Sequence, residues 1–232
     1  MRPLAPLRPA LALLLAAVIN PAQASAQHIP SPYQFIETRQ EVGVFGGYLS
    51  ADTGPFEFGP EGGLLTGVRY SIELSGPFSL EGVGSVTAGE RSVVDPRRAE
   101  GSRIIGSADT WLTSLDARLK FALNGRRTWH RLGPYLTAGG GFIMDVAGEN
   151  ALDLELEEED RFSQGASFLG VLGGGVRFFP WERLMLRTDL EGRFWKIETP
   201  SGFSDPDLAL PNVERDQWIS GWGFTLGAAW RF

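Results

Sequence analysis

The chain has 232 residues, of which 43% are hydrophobic, 21% are charged and 30 are glycine. This apolar content is too high for a disordered chain, and the length suits one large domain. The absence of cysteine excludes disulfides, zinc-thiolate sites, iron–sulfur clusters and thiol nucleophiles. The 28 acidic residues outnumber the 21 basic ones, for a net charge of -7. This balance argues against a nucleic-acid-binding protein, which needs a surplus of lysine and arginine.

Residues 1–26 have the features of a secretory signal peptide. Arg2 and Arg8 precede an uninterrupted apolar run over 10–19, and small residues at 24–26 supply a cleavage site. The run is too short for a transmembrane helix, which needs about 20 residues, so an inner-membrane anchor is the weaker alternative. The mature domain is therefore expected to span 27–232. Cleavage removes two basic residues and no acidic one, which makes the exported chain more acidic.

Eight later segments alternate between apolar and polar residues with a period of two. In the last of them, 217–232, tryptophans and other apolar side chains occupy one face and small or polar residues the other. Such a long alternation predicts a strand well beyond the five or six residues usual in globular sheets. The Gly-rich fifth segment gives no clear register. The eight segments are residues 41–48, 64–74, 78–88, 111–121, 134–146, 168–178, 184–194 and 217–232.

The connections between these segments alternate in length. Four are long and polar, at 50–61, 90–108, 147–163 and 198–216. The intervening ones are 75–77, 123–133 and 180–183, of which the middle one is longer than the pattern prefers. Short turns at one end and longer loops at the other are typical of a transmembrane barrel. No apolar run after residue 27 could cross a bilayer as a helix, so insertion would require strands.

Alternation alone fits two kinds of barrel. In a membrane barrel the apolar face points outward, whereas in a soluble, lipocalin-like barrel it points inward toward an apolar ligand. Tryptophan and tyrosine near the strand ends of the apolar face favour an interfacial aromatic girdle and thus the membrane. The seven tryptophans, Trp195 among them, are expected at this girdle and the rim rather than in a stacking platform. The opposite face carries seven bases and six acids, which can pair inside a narrow barrel. We therefore predict an all-β fold with a single eight-stranded antiparallel transmembrane barrel. The predicted interior charge network is Glu41, Arg69, Glu73, Glu81, Asp116, Arg118, Lys120, Arg177, Arg187, Asp189, Glu191, Arg193 and Arg231.

Two stretches carry a family resemblance. GPYLTAGGGF at 133–142 and the closing GWGFTLGAAWRF from Gly221 resemble small OmpA-like and OmpW-like outer-membrane barrels, without a peptidoglycan-binding domain. The resemblance implies an outer-membrane location in a Gram-negative-type envelope, contact with outer-membrane lipids including lipopolysaccharide, and a monomer. It also implies that Trp230 and Phe232 form a C-terminal signal read by the barrel-assembly machinery.

Candidate chemistry is sparse. Both histidines, His28 and His130, fall on the expected periplasmic side, so no acid–base catalytic site is predicted at the outer rim. No cofactor is expected. An acidic run in the third long loop offers hard oxygen ligands for a divalent cation, but it lacks the spacing of a calcium loop, and a solvated charge run is the favoured alternative. The run comprises Asp153, Glu155, Glu157, Glu158, Glu159 and Asp160.

Three functions remain open at this stage. The leading hypothesis is a structural or surface-interaction barrel without catalytic activity, since an eight-stranded interior is just filled by side chains. The alternative is a small OmpW-like channel for ions or small apolar molecules. A lipid-modifying enzyme of the outer membrane is the third.

Overall fold

A computed structural model describes residues 31–208, 210 and 213–232. The predicted signal peptide, residues 1–26, lies outside the described residues. Within these described residues there are ten antiparallel strands and four short 3-10 helices. The strands are β1 (Tyr33–Phe35), β2 (Gln40–Ala51), β3 (Pro60–Ser75), β4 (Phe78–Val94), β5 (Ile104–Ala122), β6 (Arg127–Trp129), β7 (Leu132–Asp145), β8 (Ser167–Phe178), β9 (Leu184–Glu198) and β10 (Asp216–Arg231), and the 3-10 helices are Asp153–Glu155, Glu158–Asp160, Ser201–Ser204 and Pro206–Leu208.

Eight of the strands form a closed barrel. Strands β2, β3, β4, β5, β7, β8, β9 and β10 pair in that order, and β10 pairs back onto β2 from Gly221↔Ala51 to Arg231↔Glu41. Closure leaves none of the eight with a free edge, which satisfies the backbone groups without water. The predicted eight-stranded antiparallel barrel is confirmed. Among the described residues, no helix is long and apolar enough to cross a bilayer.

The two faces of the barrel wall have opposite character. Along β10 every second side chain except Ala228 is exposed, including Trp222 and Leu226, while Thr225 and Arg231 of the other parity are buried. The same holds on β5, where Leu115 faces outward and Arg118 inward. Hydrocarbon lipid solvates an outward apolar face that water would not, so this barrel is of the transmembrane type.

The Gly-rich fifth segment has a single register in the structure. Strand β7 pairs with β5 from Leu112↔Asp145 to Ala122↔Tyr135, and it also pairs with β8. Tyr135, Thr137 and Ile143 are buried on its inner face.

Three details differ from the sequence-based expectations. Strands β4 and β5 stay paired as far as Val94↔Ile104, so the second long loop shrinks to 95–103 from the expected 90–108. The long middle link contains β6, which pairs with β1 and thereby accounts for its length. Trp195 was expected at the rim, but it is fully buried inside, because it shares the parity of Arg193 on β9.

We call the end with the short connections 76–77, 123–131 and 179–183 the turn end. The opposite end, with the connections 52–59, 95–103, 146–166 and 199–215, is the loop end. Both chain ends of the described part, including the β1–β6 pair, lie at the turn end.

Candidate functional site

Six charged side chains on the turn-end half of the barrel interior form one connected group, the turn-side cluster. Arg187 is at its centre, with Nη1 and Nη2 2.5 and 3.0 Å from the two carboxylate oxygens of Glu81 and Nε 2.9 Å from Oδ2 of Asp189. Asp189 also accepts a 2.9 Å hydrogen bond from Arg69. Lys120 donates to Glu41 and, at 3.3 Å, to Glu81. All six are buried, and three acids face three bases. The members are Glu41, Arg69, Glu81, Lys120, Arg187 and Asp189.

A second group, the loop-side cluster of Asp116, Arg118, Glu191 and Arg193, lies nearer the loop end. Arg118 donates to Asp116 and to Glu191. Arg193 lies 3.4 Å from Glu191, and its other terminal nitrogen is 3.3 Å from the Ser85 hydroxyl. Two acids again face two bases in a buried setting. Such pairing is what makes burial of these charges tolerable.

Three of the thirteen predicted network residues lie outside both clusters. Glu73 is half-buried and pairs with Arg126 of the long middle link at 2.6 Å. Arg177 and Arg231 are buried but lie within ion-pair distance of no carboxylate among the described residues. The sequence pattern missed Arg126, because that residue belongs to a turn and has no strand parity.

Tyr135 is an interior residue that the pattern also missed. Its hydroxyl donates to Asp189, and its ring centroid is 4.8 Å from the guanidinium carbon of Arg187. In the observed register of β7, Tyr135 occupies one of the inward-facing positions. The Gly-rich sequence of this segment does not define that register, so the sequence alone does not show which of its residues face inward.

Interior glycines give the charged side chains their space. Gly139 and Gly141 of β7 are paired with Arg118 and Asp116 of β5. A Cβ on Gly141 would lie 2.5 Å from the Cα of Asp116, and one on Gly139 2.7 Å from the Cα of Arg118. Any side chain at these two positions would therefore collide with the neighbouring strand. The glycine run thus serves packing of the loop-side cluster.

The loop end of the interior is apolar. Buried residues of the strands, among them Leu49, Leu112 and Trp195, belong to one hydrophobic core that extends into the loops. Four phenylalanines from three different loops cover the end of this core, and the centroids of their contacting rings are 5.0 to 6.3 Å apart. We call this group the loop-end cap, and its members are Phe56, Phe58, Phe162 and Phe203.

The acidic run of the third loop is engaged by arginines. Asp153 is fully buried, and its Oδ2 lies 2.6 Å from Nη2 of Arg91 and accepts the backbone N–H of Asn150 at 2.9 Å. Asp160 is also buried and lies 2.7 Å from Nε of Arg97. The hydrogen bond that Arg97 donates to the Asp160 carboxylate is the largest cause that raises the pKa of Arg97 above its usual value.

The remaining acids of the run differ in their contacts. Glu157 and Glu159 lie 3.1 and 2.5 Å from Nη2 of Arg97. Glu155 and Glu158 make no ion pair with a described residue. Within the described part of the chain, no group of three potential metal ligands is arranged to hold an ion. The run therefore ties the second and third long loops together.

The two ends of the predicted assembly signal lie at the turn end. Trp230 and Phe232 are both exposed on the outward parity of the last strand. Phe232 exchanges backbone hydrogen bonds with Gln40 at 3.0 and 3.2 Å, which fixes the end of the chain to the first barrel strand. His130 also lies at this end, in contact with Trp129. His28 lies outside the described residues.

Comparisons with known proteins support the fold. No family model matches the chain, and no curated protein matches it. Among solved structures, Neisserial surface protein A is similar, with 12% identity, a TM-score of 0.53, and coverage of 83% of this chain and 97% of that one. The outer membrane protein OprG from Pseudomonas aeruginosa is similar with 13% identity, a TM-score of 0.50, and coverage of 84% and 97%. The expected resemblance to small outer-membrane barrels is confirmed for the fold.

Replacing Arg187 by Met tests the turn-side cluster. The change leaves Glu81 and Asp189 buried without their shared partner, so we expect the free energy of unfolding to fall by about 3–5 kcal/mol. Urea unfolding in lipid vesicles measures it. Arg98→Met is the matched control, because the Arg98–Asp95 pair is exposed and should be worth less than about 1 kcal/mol. Equal losses in both variants would contradict the role of the cluster.

Asp153→Asn and Glu155→Gln form a matched pair within one 3-10 helix. Asp153 is buried against Arg91 and Glu155 is exposed, so the first change should lower the unfolding free energy by about 3 kcal/mol and the second by less than about 0.5 kcal/mol. Urea unfolding, repeated with calcium present, measures both. A calcium-dependent stabilisation that Glu155→Gln abolishes would instead favour a metal site.

Proposed function

We propose that the chain is an integral outer-membrane barrel protein with a structural or surface-interaction role and without catalytic activity. The observation that carries this proposal is the filled interior, in which two neutralised charge clusters lie beneath an apolar core and the loop-end cap. Such an interior offers no wide aqueous path. The loops at the loop end are then the surface through which the protein would contact partners.

Export and assembly form the next part of the proposal. The signal peptide over residues 1–26 would direct the chain across the inner membrane, and Trp230 with Phe232 would present the C-terminal signal to the barrel-assembly machinery. Their exposure at the turn end supports this reading. The closed ring of strands leaves no unpaired barrel edge, which supports a monomer.

Lipid contact is proposed for the outward face, with lipopolysaccharide at the loop end. Trp111, Trp218 and Trp222 are exposed toward that end. The ammonium of Lys196 lies 5.3 Å from the ring centroid of Trp218 and 3.8 Å from Asp216. A cation beside an aromatic girdle is a suitable contact for lipid phosphates.

The absence of catalysis is proposed from the placement of the candidate groups. His130 lies at the turn end, remote from the loop end where an enzyme of the outer leaflet would act. The acids of the third loop that are buried, Asp153 and Asp160, are bonded to arginines. A buried carboxylate whose oxygens accept hydrogen bonds from arginine is not free to contact a substrate.

Planar bilayer recordings separate this proposal from a channel. We expect the purified, folded barrel to insert without producing conductance steps, because both charge clusters and the apolar core block the axis. Heat-dependent electrophoretic mobility of the same sample verifies that the barrel is folded. Reproducible steps from the unaltered protein would favour the channel alternative.

A cap variant makes the recording more decisive. Phe58→Ala combined with Phe203→Ala opens the loop-end cap but leaves both charge clusters in place, so this variant should also stay closed. Conductance that emerges only in the variant would mean that the cap is a gate, and the structural role would then be wrong.

A further inference from the structure

The interior charges balance everywhere except at the turn end. The turn-side cluster holds three acids and three bases, and the loop-side cluster two of each. Glu73 and Arg126 neutralise each other. Arg177 of β8 and Arg231 of β10 are left as two positive charges without a carboxylate partner in the described part of the chain.

Arg177 is buried without a hydrogen-bond acceptor. Its exposed fraction is 8%, and its guanidinium donates to none of the described residues. Its guanidinium carbon lies 5.6 and 5.7 Å from the ring centroids of Tyr135 and Phe179. Its Nε is enclosed without an acceptor, so this donor is unsatisfied among the described residues.

Arg231 is close to the same place. Its exposed fraction is 6%, and its guanidinium carbon lies 4.8 Å from the ring centroid of Phe179, the ring that Arg177 also approaches. Its terminal nitrogens donate to the backbone carbonyls of Glu182 and Thr38 at 3.2 and 3.5 Å. These acceptors are neutral, so they satisfy hydrogen bonds without cancelling the charge.

Both arginines line one small cavity of about 30 Å³ at the turn end. A water molecule needs about 10–15 Å³ of such volume, so the cavity, which opens to solvent, has room for a monatomic ion but not for a whole sugar or a large organic acid. Glu41 and Glu73 also line it, but Lys120 and Arg126 already bond to them. The hydroxyl side chains of Ser71 and Ser79 add further donors to the lining.

We propose that a chloride ion binds in this cavity between Arg177 and Arg231. One anion would accept from the guanidinium of Arg177, which has no acceptor among the described residues, and bring the local charge closer to neutral. An ion can reach this cavity from the turn end of the barrel, because Gly76 and Pro77 of the tight turn between β3 and β4 border it. The proposal rests on the barrel interior and is independent of the surface role.

Chloride NMR line width on the folded protein in a nonionic detergent tests the site directly. We expect an excess broadening that saturates with chloride and is displaced by bromide but not by gluconate, which is too large for the cavity. Arg177→Gln and Arg231→Gln should each weaken chloride affinity about tenfold or more, since each removes a buried charge partner. The matched control is Arg97→Gln at the loop end, which should leave the broadening unchanged.

The opposite results would overturn the site. Broadening that does not saturate in the unaltered protein, or that persists when both arginines are replaced, would show that chloride does not bind there. A second measurement uses only the unaltered protein, so it does not depend on whether the arginine variants fold. The thermal unfolding midpoint of the unaltered protein should be higher in sodium chloride than in sodium gluconate at equal ionic strength, and equal midpoints would contradict the proposal.

Discussion

The interior of an eight-stranded barrel is only wide enough to be filled by side chains, and this constraint governs the rest of the molecule. Charged groups can occupy so narrow a space only if acids and bases meet at hydrogen-bond distance, as Arg187 meets Glu81 and Asp189. The neighbouring strand must also leave room for the charged side chains. Gly139 and Gly141 of β7, which are paired with Arg118 and Asp116 of β5, provide that room.

The same constraint shapes the loop end. Above the loop-side cluster the interior turns apolar, and the loops bring their own phenylalanines to complete it rather than leaving a water-filled opening. Buried pairs such as Arg91–Asp153 hold those loops over the barrel. An acidic run that looks in sequence like a solvated loop therefore contributes buried carboxylates to the fold. Removing either partner of such a pair would leave an uncompensated buried charge.

Period-two alternation predicted the eight strands and their inward faces because parity is a local property that survives folding. Trp195 shows its limit, since the segment was ended at Phe194 and a tryptophan beyond it was expected at the rim. Trp195 lies two residues after the buried Arg193, so the alternation itself puts it on the inward face. The fold also depends on contacts that the alternation of residues cannot predict. The β1–β6 pair joins distant residues, as in Gln34↔Thr128, which are 94 positions apart, and Arg126 reaches Glu73 from a turn.

Charge counting on one face predicts an interior network but not its division into two clusters. Nothing in the sequence shows that Arg187, rather than Arg177, lies between Glu81 and Asp189, since this depends on strand register and stagger. The cap phenylalanines belong to loops without periodicity, so only tertiary packing reveals them. Asp153 of the third long loop and Arg91 of β4 are likewise paired only through the tertiary fold.

Quenching of single tryptophans by lipids brominated near the headgroup end of their chains tests the orientation of the barrel wall most directly. One variant keeps only Trp222, which faces outward, and the other keeps only Trp195, which is fully buried inside, with all other tryptophans replaced by phenylalanine. The structure predicts strong quenching of Trp222 and little of Trp195. Equal quenching of both, or stronger quenching of Trp195, would contradict an apolar outer face around a charged interior.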